Sequence, residues 1–281
     1  MAPLVYLVVG HVTQDLVDGQ LVLGGTATYS AVTAARLGLK VRVLTAAGVT
    51  AQPALEELAR DAEVSVVESA ETTVFKNTYS DDRRVQYLLS AGSDLTPSAL
   101  PGGWKRSDIA HLGPVANEVD QSFVGAFARR TSLGITPQGW LRSWDSDGRV
   151  RPEPWMPDPE WLRRAGAIVL SQEDVGERLD LIDYYARYCP VTVVTRGYRG
   201  CTLYSGGEVH HLGTRPAREV DPTGAGDVFA AAFFIRLHET GDAVEAARFA
   251  NVAGSMAVEG PGTTTIPARR QVADWLENHR L

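Results

Sequence analysis

The sequence predicts an α/β protein whose central sheet is mostly parallel. Short, uninterrupted apolar runs typical of buried parallel strands occur at residues 4–9, 167–170 and 191–195. Stretches that favour helices, rich in small or apolar residues, occupy residues 26–37 and 228–237. Strands and helices that alternate along one chain favour a sheet covered by helices.

Length and charge limit the possible functions. The chain has 281 residues, 44% of them hydrophobic, which suits one globular domain over residues 1–281. Its formal charge of −7 argues against a nucleic-acid or anionic-membrane partner. The apolar run at 4–9 lacks the features of a secretion signal, and no run reaches the about 20 residues of a membrane span, so we expect a cytoplasmic protein. Cys189 and Cys201 are expected to be buried thiols.

The stretch Asp221-Pro222-Thr223-Gly224-Ala225-Gly226-Asp227 is the strongest functional signal. It reads as a tight loop that opens an apolar helix. The first backbone N–H groups of such a helix lack partners and attract anions, and glycine lets an anion approach closely. A carboxylate inside an anion-binding turn needs a purpose, and removing a proton from an attacking hydroxyl would supply one. We therefore expect Asp227 to be a catalytic base, assisted by the backbone of residues 224–226.

Two motifs together resemble the PfkB, or ribokinase-like, family of small-molecule kinases. Residues 221–227 resemble the family's C-terminal signature, with Pro222 where threonine is common. Residues 24–38, which begin with Gly24-Gly25, resemble its N-terminal signature. The resemblance covers almost the whole chain. It implies a three-layer α/β/α fold, with a small β-sheet lid formed by about residues 11–24 and 72–90, and an ATP-dependent kinase that phosphorylates a hydroxyl of a sugar or polyol.

Candidate acceptor-binding residues lie near strand ends and in the two motifs. Asp15 matches an aspartate with which the family binds substrate hydroxyls, although a turn aspartate is the alternative. Tyr29 stands where the family often has asparagine. The remaining candidates are Gly24, Gly25, Gln138 and Arg142, together with the lid side chains Lys76, Asn77, Arg84 and Gln86, for which solvated strand positions are the alternative.

The resemblance also indicates residues for the nucleotide and for metal ions. The expected nucleotide contacts are Thr195, Arg196, Gly197, Gly200, Asn251, Gly260 and Gly262. Glu173 and Asp174 follow a strand, where the family has Asn-x-x-Glu, and are candidates to hold Mg²⁺ through water. Ser171 and Asp174 equally form the pattern of a capping box. Asp221 and Thr223 are candidates for a monovalent cation, K⁺.

Rival functions and local structures stay open at this stage. A nucleoside kinase is one alternative, because Tyr29, Phe75, Tyr79 and Tyr87 offer aromatic faces for a base; a non-catalytic sugar or nucleotide sensor is another. The open edges of a lid sheet invite pairing, so a homodimer through the lid is a further hypothesis. Hairpins are predicted at 16–23, 72–89 and 201–212, a helix at 118–130 and a surface loop at 143–159.

Overall fold

The chain alternates strands and helices, as predicted. A computed structural model describes residues 3–17, 19–80 and 83–279. The strands are β1 (Val5–Val9), β2 (Thr13–Val17), β3 (Gln20–Gly24), β4 (Lys40–Ala47), β5 (Ala62–Glu68), β6 (Thr73–Ser80), β7 (Arg83–Ser90), β8 (Ile109–Leu112), β9 (Ser132–Ile135), β10 (Arg142–Trp144), β11 (Val150–Pro152), β12 (Ala167–Ser171), β13 (Val191–Thr195), β14 (Cys201–Ser205) and β15 (Glu208–Leu212). The helices are α1 (Thr26–Arg36), α2 (Gln52–Leu58), α3 (Phe123–Ala126), α4 (Pro159–Arg164), α5 (Gln172–Val175), α6 (Asp180–Tyr188), α7 (Ala225–Thr240), α8 (Ala243–Ala257) and α9 (Arg269–Asn278).

The main sheet gathers the strand ends that follow most of the sequence motifs. Its order is β15-β14-β13-β12-β9-β8-β1-β4-β5, and every neighbouring pair from β13 to β5 is parallel. The hairpin of β14 and β15 adds two antiparallel strands at one edge. Because parallel strands end on the same side, the residues after β1, β8, β9, β12 and β13 meet along one edge, where ligands bind in open α/β sheets.

Helix α7 is the central helix on one face of the main sheet. It packs against both α1 and α8, and its side chains from Val228 to Ile235 are buried all round. An apolar surface on every side of a helix is typical of a buried position, which agrees with the run of apolar residues in the sequence. The start of α7 is therefore fixed by packing on several neighbouring elements.

A second, smaller sheet stands apart from the main one. Its order is β3-β2-β6-β7, and the predicted hairpins at 16–23 and 72–89 are confirmed. Phe75 on β6 and Leu88 on β7 pack with Val115 and Ala116 of the main body. The small sheet therefore lies against the region that follows β8.

The hairpin of β10 and β11 corrects the expectation of a surface loop over 143–159. The Leu88 N–H donates to the carbonyl of Gly148 at 2.8 Å, so this hairpin touches the edge of the small sheet. Trp155 is buried and stacks on Trp140, with 4.7 Å between ring centroids. The predicted loop is thus partly core, because its tryptophan fills space beneath α6.

The helix expected over 118–130 is wrong except for the single turn of α3. The reason is Glu118, whose carboxylate is buried and accepts hydrogen bonds from the N–H groups of His11, Val115 and Ala116 at 2.7–3.1 Å. A buried charge needs such partners, and they hold the chain in an irregular path. The expectation of buried thiols is confirmed, since Cys189 and Cys201 are both free and buried. Within the described ranges, no helix combines the length and apolarity needed to cross a membrane.

We expect Glu118→Gln to lower the free energy of unfolding by about 2–4 kcal/mol, because the amide cannot accept at both ends and leaves buried N–H groups unpaired. Denaturant unfolding of this variant, beside the exposed control Glu153→Gln, measures the effect. The control should stay within about 0.5 kcal/mol of the parent protein. Equal stabilities for the two variants would show that Glu118 does not hold this segment.

Candidate active site

The loop before α7 is built to leave backbone donors open. Gly224 caps the helix with φ of 75°, a left-handed conformation that favours glycine. The N–H groups of Gly226 and Asp227 have no hydrogen-bond partner in the described part of the chain. The expectation that Ala225 N–H is also open needs correction, because it donates to the Pro222 carbonyl at 3.2 Å. Two adjacent amides at the helix start therefore remain to receive an anion.

Asp227 lies in the first turn of α7 with an unusual protonation equilibrium. Its pKa is raised from 3.8 to about 6, chiefly because burial disfavours the charged carboxylate. A hydrogen bond from Thr26 lowers the pKa, the charge of Asp174 raises it, and the charge of Arg142 lowers it. Asp227 is thus a carboxylate near neutral pH that takes up a proton more readily than an ordinary aspartate.

Tyr29 is buried and forms a wall beside the loop. Its ring occupies the space into which a Cβ on Gly224 would project. Burial raises the pKa of Tyr29, and the nearby charges of Asp221, Asp227 and Asp15 raise it further. The ring therefore has these carboxylates around it, which brings Asp15 of β2 and Asp227 of α7 to the same region.

Asp15 reaches this region because Gly24 has no side chain. The two residues lie on the paired strands β2 and β3, and a Cβ on Gly24 would collide with the Asp15 carboxylate. Gly25 follows as the residue that caps α1. Asp15 also has a partner of its own, as do Asn77 and Arg142. The structure thus places four predicted residues, Asp15, Gly24, Gly25 and Tyr29, in one region. Their role in binding an acceptor stays a prediction.

Arg142 and Gln138 border the site from the segment after β9. The Arg142 guanidinium lies 5.9 Å from the centroid of the Phe75 ring, and its Nη1 donates to the Val115 carbonyl at 3.3 Å. Gln138 donates from Nε2 to Asp174 Oδ1 at 3.2 Å. Arg142 is thus a cation that packs on Phe75 of the small sheet and acts electrostatically on Asp227.

The acceptor-binding candidates on the small sheet make only local contacts where their side chains are described. Gln86 Nε2 donates to Asn77 Oδ1 at 3.1 Å across the paired strands, and Lys76 is exposed. The side chains of Tyr79 and Arg84 lie outside those that the structure describes. The role of these residues in acceptor binding stays a prediction.

The carboxylates after β12 do not fit a protein-held Mg²⁺. Asp174 forms the capping box with Ser171, and its two oxygens accept from the Ser171 N–H and from Gln138. Glu173 is exposed. No group of three or more His, Cys, Asp or Glu side chains in the described residues is placed to hold a metal ion. Mg²⁺ needs only one or two carboxylates beside its waters, so the expectation that Glu173 and Asp174 hold it through water stays a prediction.

Asp221 fastens two loops together. Its Oδ1 accepts from the Thr223 N–H and its Oδ2 from the Gly262 N–H, each at 2.9 Å. Its pKa is lowered; burial acts in the opposite direction, but these hydrogen bonds outweigh it. Gly260 lies in the same loop after α8. The assignment of Asp221 and Thr223 to a monovalent cation stays a prediction beside this structural role.

A separate cavity of about 230 Å³ lies beyond β13, and Arg196 is the one predicted nucleotide residue among those that line it in the described part of the chain. Thr195 ends β13, and Gly197 and Gly200 form the turn into β14. Arg196 lines the cavity, while Asn251 lies behind it and donates from Nδ2 to the Gly213 carbonyl at 3.0 Å.

Sequence reasoning missed Thr26 and part of the cavity wall. Thr26 directly follows Gly24-Gly25, and this position was the available signal for its contact with Asp227. The wall residues that were not predicted to belong to a site are Gln172, Arg199, Cys201, Thr202, His211, Leu212 and Gly213. Nothing local in the sequence distinguishes them from surface residues, since the hairpin of β14 and β15 brings them together.

Comparisons with known proteins agree with this geometry. The profile described as "pfkB family carbohydrate kinase" matches residues 166–269. Inositol 3-kinase from Zea mays is 35% identical over 212 residues, which span 70% of this chain but only 53% of the maize protein. Ribokinase from Bacillus subtilis strain 168 is 24% identical over 92% of this chain and 88% of that protein. A solved pyrophosphate-dependent kinase in the ribokinase family, complexed with a pyrophosphate analog and myo-inositol, has a TM-score of 0.80 at 21% identity, covering 96% of this chain and 99% of that one.

Gly224→Ala should destabilise the protein by about 2–4 kcal/mol, because the new Cβ collides with Tyr29 and forces a non-glycine residue to positive φ. The double variant Gly224→Ala with Tyr29→Ala removes the collision but keeps the strained backbone. In a double-mutant cycle measured by thermal or denaturant unfolding, we expect the two changes to be non-additive. Strict additivity would mean that the ring does not pack on this loop.

Proposed function

We propose that this chain is a kinase of the pfkB carbohydrate kinase family, which transfers a phosphoryl group to an alcohol, and that its acceptor is a cyclic polyol of the inositol class. The observation that carries the proposal is the position of Asp227, with a pKa of about 6, beside the open N–H groups of Gly226 and Asp227. An acceptor hydroxyl at this carboxylate loses its proton as it attacks phosphorus. The open amides stabilise the charge on the transferring group.

The charges around Asp227 favour a neutral, hydroxyl-rich acceptor. Asp15, Asp174 and Asp227 contribute negative charge, and Arg142 is the cation that acts on Asp227. Each hydroxyl of a polyol can donate to a carboxylate. An acceptor that already carries a phosphate would meet like charge, which disfavours sugar phosphates.

Relatives narrow the acceptor class further. The maize protein is named for inositol phosphorylation, and the structural neighbour holds myo-inositol. The 35% identity with the maize kinase over 70% of this chain supports the same acceptor class here. Asp15 and Arg142 are the residues we assign to its hydroxyls.

A nucleoside acceptor is less well supported. Two of the aromatic residues considered for stacking on a base are already engaged, since Tyr29 packs against Gly224 and Phe75 is buried beneath Arg142. A non-catalytic sensor would have no need for a base with a pKa near neutral. Both alternatives remain measurable outcomes of an acceptor panel.

The donor carries a chain of phosphates that reaches the open amides. The family resemblance implies ATP, with Mg²⁺ and K⁺ as accompanying ions, whereas the myo-inositol-bound neighbour is described as pyrophosphate-dependent. Both donors present a terminal phosphoryl group and a diphosphate. Arg196, in the turn after β13, is the residue we assign to these phosphates.

The small sheet supports a role as lid and as dimer contact. Leu21 and Val22 on the edge strand β3, and Val17 on the neighbouring strand β2, are 47–49% exposed and form a small apolar patch. Pairing of two such edges would cover them. A homodimer through the lid and a cytoplasmic location are parts of this proposal.

Asp227→Asn should lower kcat by about 10²–10⁴, because the amide cannot accept the hydroxyl proton. The parent enzyme should lose activity as the pH falls through about 6, where Asp227 becomes protonated. Phosphate-ester formation is measured by ³¹P NMR with inositols, pentoses, hexoses and nucleosides, using ATP and pyrophosphate separately.

The matched control is Asp183→Asn on the exposed side of α6, which should leave kcat unchanged. A variant Asp227→Asn with parental kcat would refute the base assignment. Transfer to nucleosides in preference to polyols would refute the acceptor class, and transfer to none of the acceptors would favour a sensor.

A further inference from the structure

The cavity beyond β13 is small and carries positive charge. Its volume of about 230 Å³ is bounded by Arg196 and Arg199 after β13, by Gln172 after β12, and by Thr202 and His211 on the edge hairpin. Sites for drug-sized ligands span about 300–1,000 Å³ and are mostly apolar. This cavity lies below that range, and no Phe, Tyr or Trp is among its lining residues in the described part of the chain.

The Arg196 guanidinium has a buried donor that an anion can accept from. Its Nε is buried and has no hydrogen-bond partner among the described residues. A buried donor of a charged group is costly unless something accepts from it. An anionic oxygen in the cavity would do so, and the guanidinium geometry suits two oxygens of one phosphate.

The cavity belongs to the same sheet edge as Asp227. Ser171 at the end of β12 pairs with Thr195 at the end of β13, so Gln172 and Arg196 follow neighbouring strand ends. Two residues after Gln172, Asp174 acts electrostatically on Asp227. The cavity and Asp227 therefore lie along the same edge of the main sheet.

One wall of the cavity includes Gly213, the first residue of a connection that hydrogen bonds hold in place. The connection 213–218 is attached to three positions on and just beyond α8. Asn251 Nδ2 donates to the Gly213 carbonyl, and Thr214 Oγ1 donates to the Asn251 carbonyl, each at 3.0 Å. Arg215 donates to both carboxylate oxygens of Glu259 at 2.8 and 2.9 Å and to the Ser255 carbonyl at 3.4 Å. The side-chain amide of Asn251, which was predicted to contact the nucleotide, thus donates to a carbonyl of the protein itself.

We infer that the phosphoryl donor is inorganic pyrophosphate rather than a nucleoside triphosphate, bound between Arg196 and the start of α7; this rests on the proposed kinase function. The acceptor oxygen forms a bond to one phosphorus, and the bridging P–O bond breaks. Its electron pair leaves with orthophosphate, and the hydroxyl proton passes to Asp227. The products are a phosphate monoester and orthophosphate.

Binding without acceptor tests the donor separately from the reaction. Isothermal titration of the full chain with pyrophosphate, ATP and adenosine, in one magnesium-containing buffer, gives three dissociation constants. We expect pyrophosphate to bind at least 10-fold more tightly than ATP, and adenosine not to bind. Arg196→Gln should weaken pyrophosphate binding at least 10-fold, whereas Arg187→Gln, at an exposed position on α6, should change it less than twofold.

Each result decides the inference. ATP binding as tightly as pyrophosphate, adenosine competing for the site, or no binding of pyrophosphate would overturn it. The comparison of ligands on the parent protein stands even if Arg196→Gln fails to fold. Tight pyrophosphate binding with no transfer to any polyol would refute the proposed function while the donor site stands.

Discussion

The proposed site depends on one carboxylate, that of Asp227, which burial shields from water. Asp227 sits at the first turn of a buried helix, and burial is the main reason that its pKa rises to about 6. Two features keep this costly group in place: the apolar packing of α7 on α1 and α8, and the hydrogen bond from Thr26. The burial of this carboxylate costs folding free energy. In return Asp227 is charged at neutral pH and still able to accept a proton, as the proposed base must be.

Carboxylates and guanidinium groups occupy different parts of the region around Asp227. In the proposed reaction the acceptor lies near Asp15, Asp174 and Arg142, and the donor lies near Arg196 and Arg199. A neutral polyol suits the first environment and a polyanion suits the second. The overall charge of −7 therefore does not oppose donor binding, because local side chains and open amides set the field at the site.

The sequence predicted what local patterns encode. The loop at 221–227, the strands at 4–9 and 191–195 and the three hairpins were confirmed because glycine placement and apolar runs determine them locally. The segment at 118–130 was not predictable in this way, since Glu118 bonds to the His11 amide, far away in the chain. The burial of Tyr29 against Gly224 likewise depends on how α1 and α7 pack, and the cavity wall depends on how the edge hairpin folds back.

The titration of Asp227 itself tests the central claim most directly. Selective ¹³C labelling of aspartate carboxyls, with Asp227→Asn to assign the resonance, gives the pKa of this group by NMR between pH 3 and 9. The account predicts a value of about 6, well above that of an ordinary aspartate. A value near 4 would contradict it, because burial would then not outweigh the hydrogen bond from Thr26 and the charge of Arg142, and Asp227 would take up a proton no more readily than an ordinary aspartate.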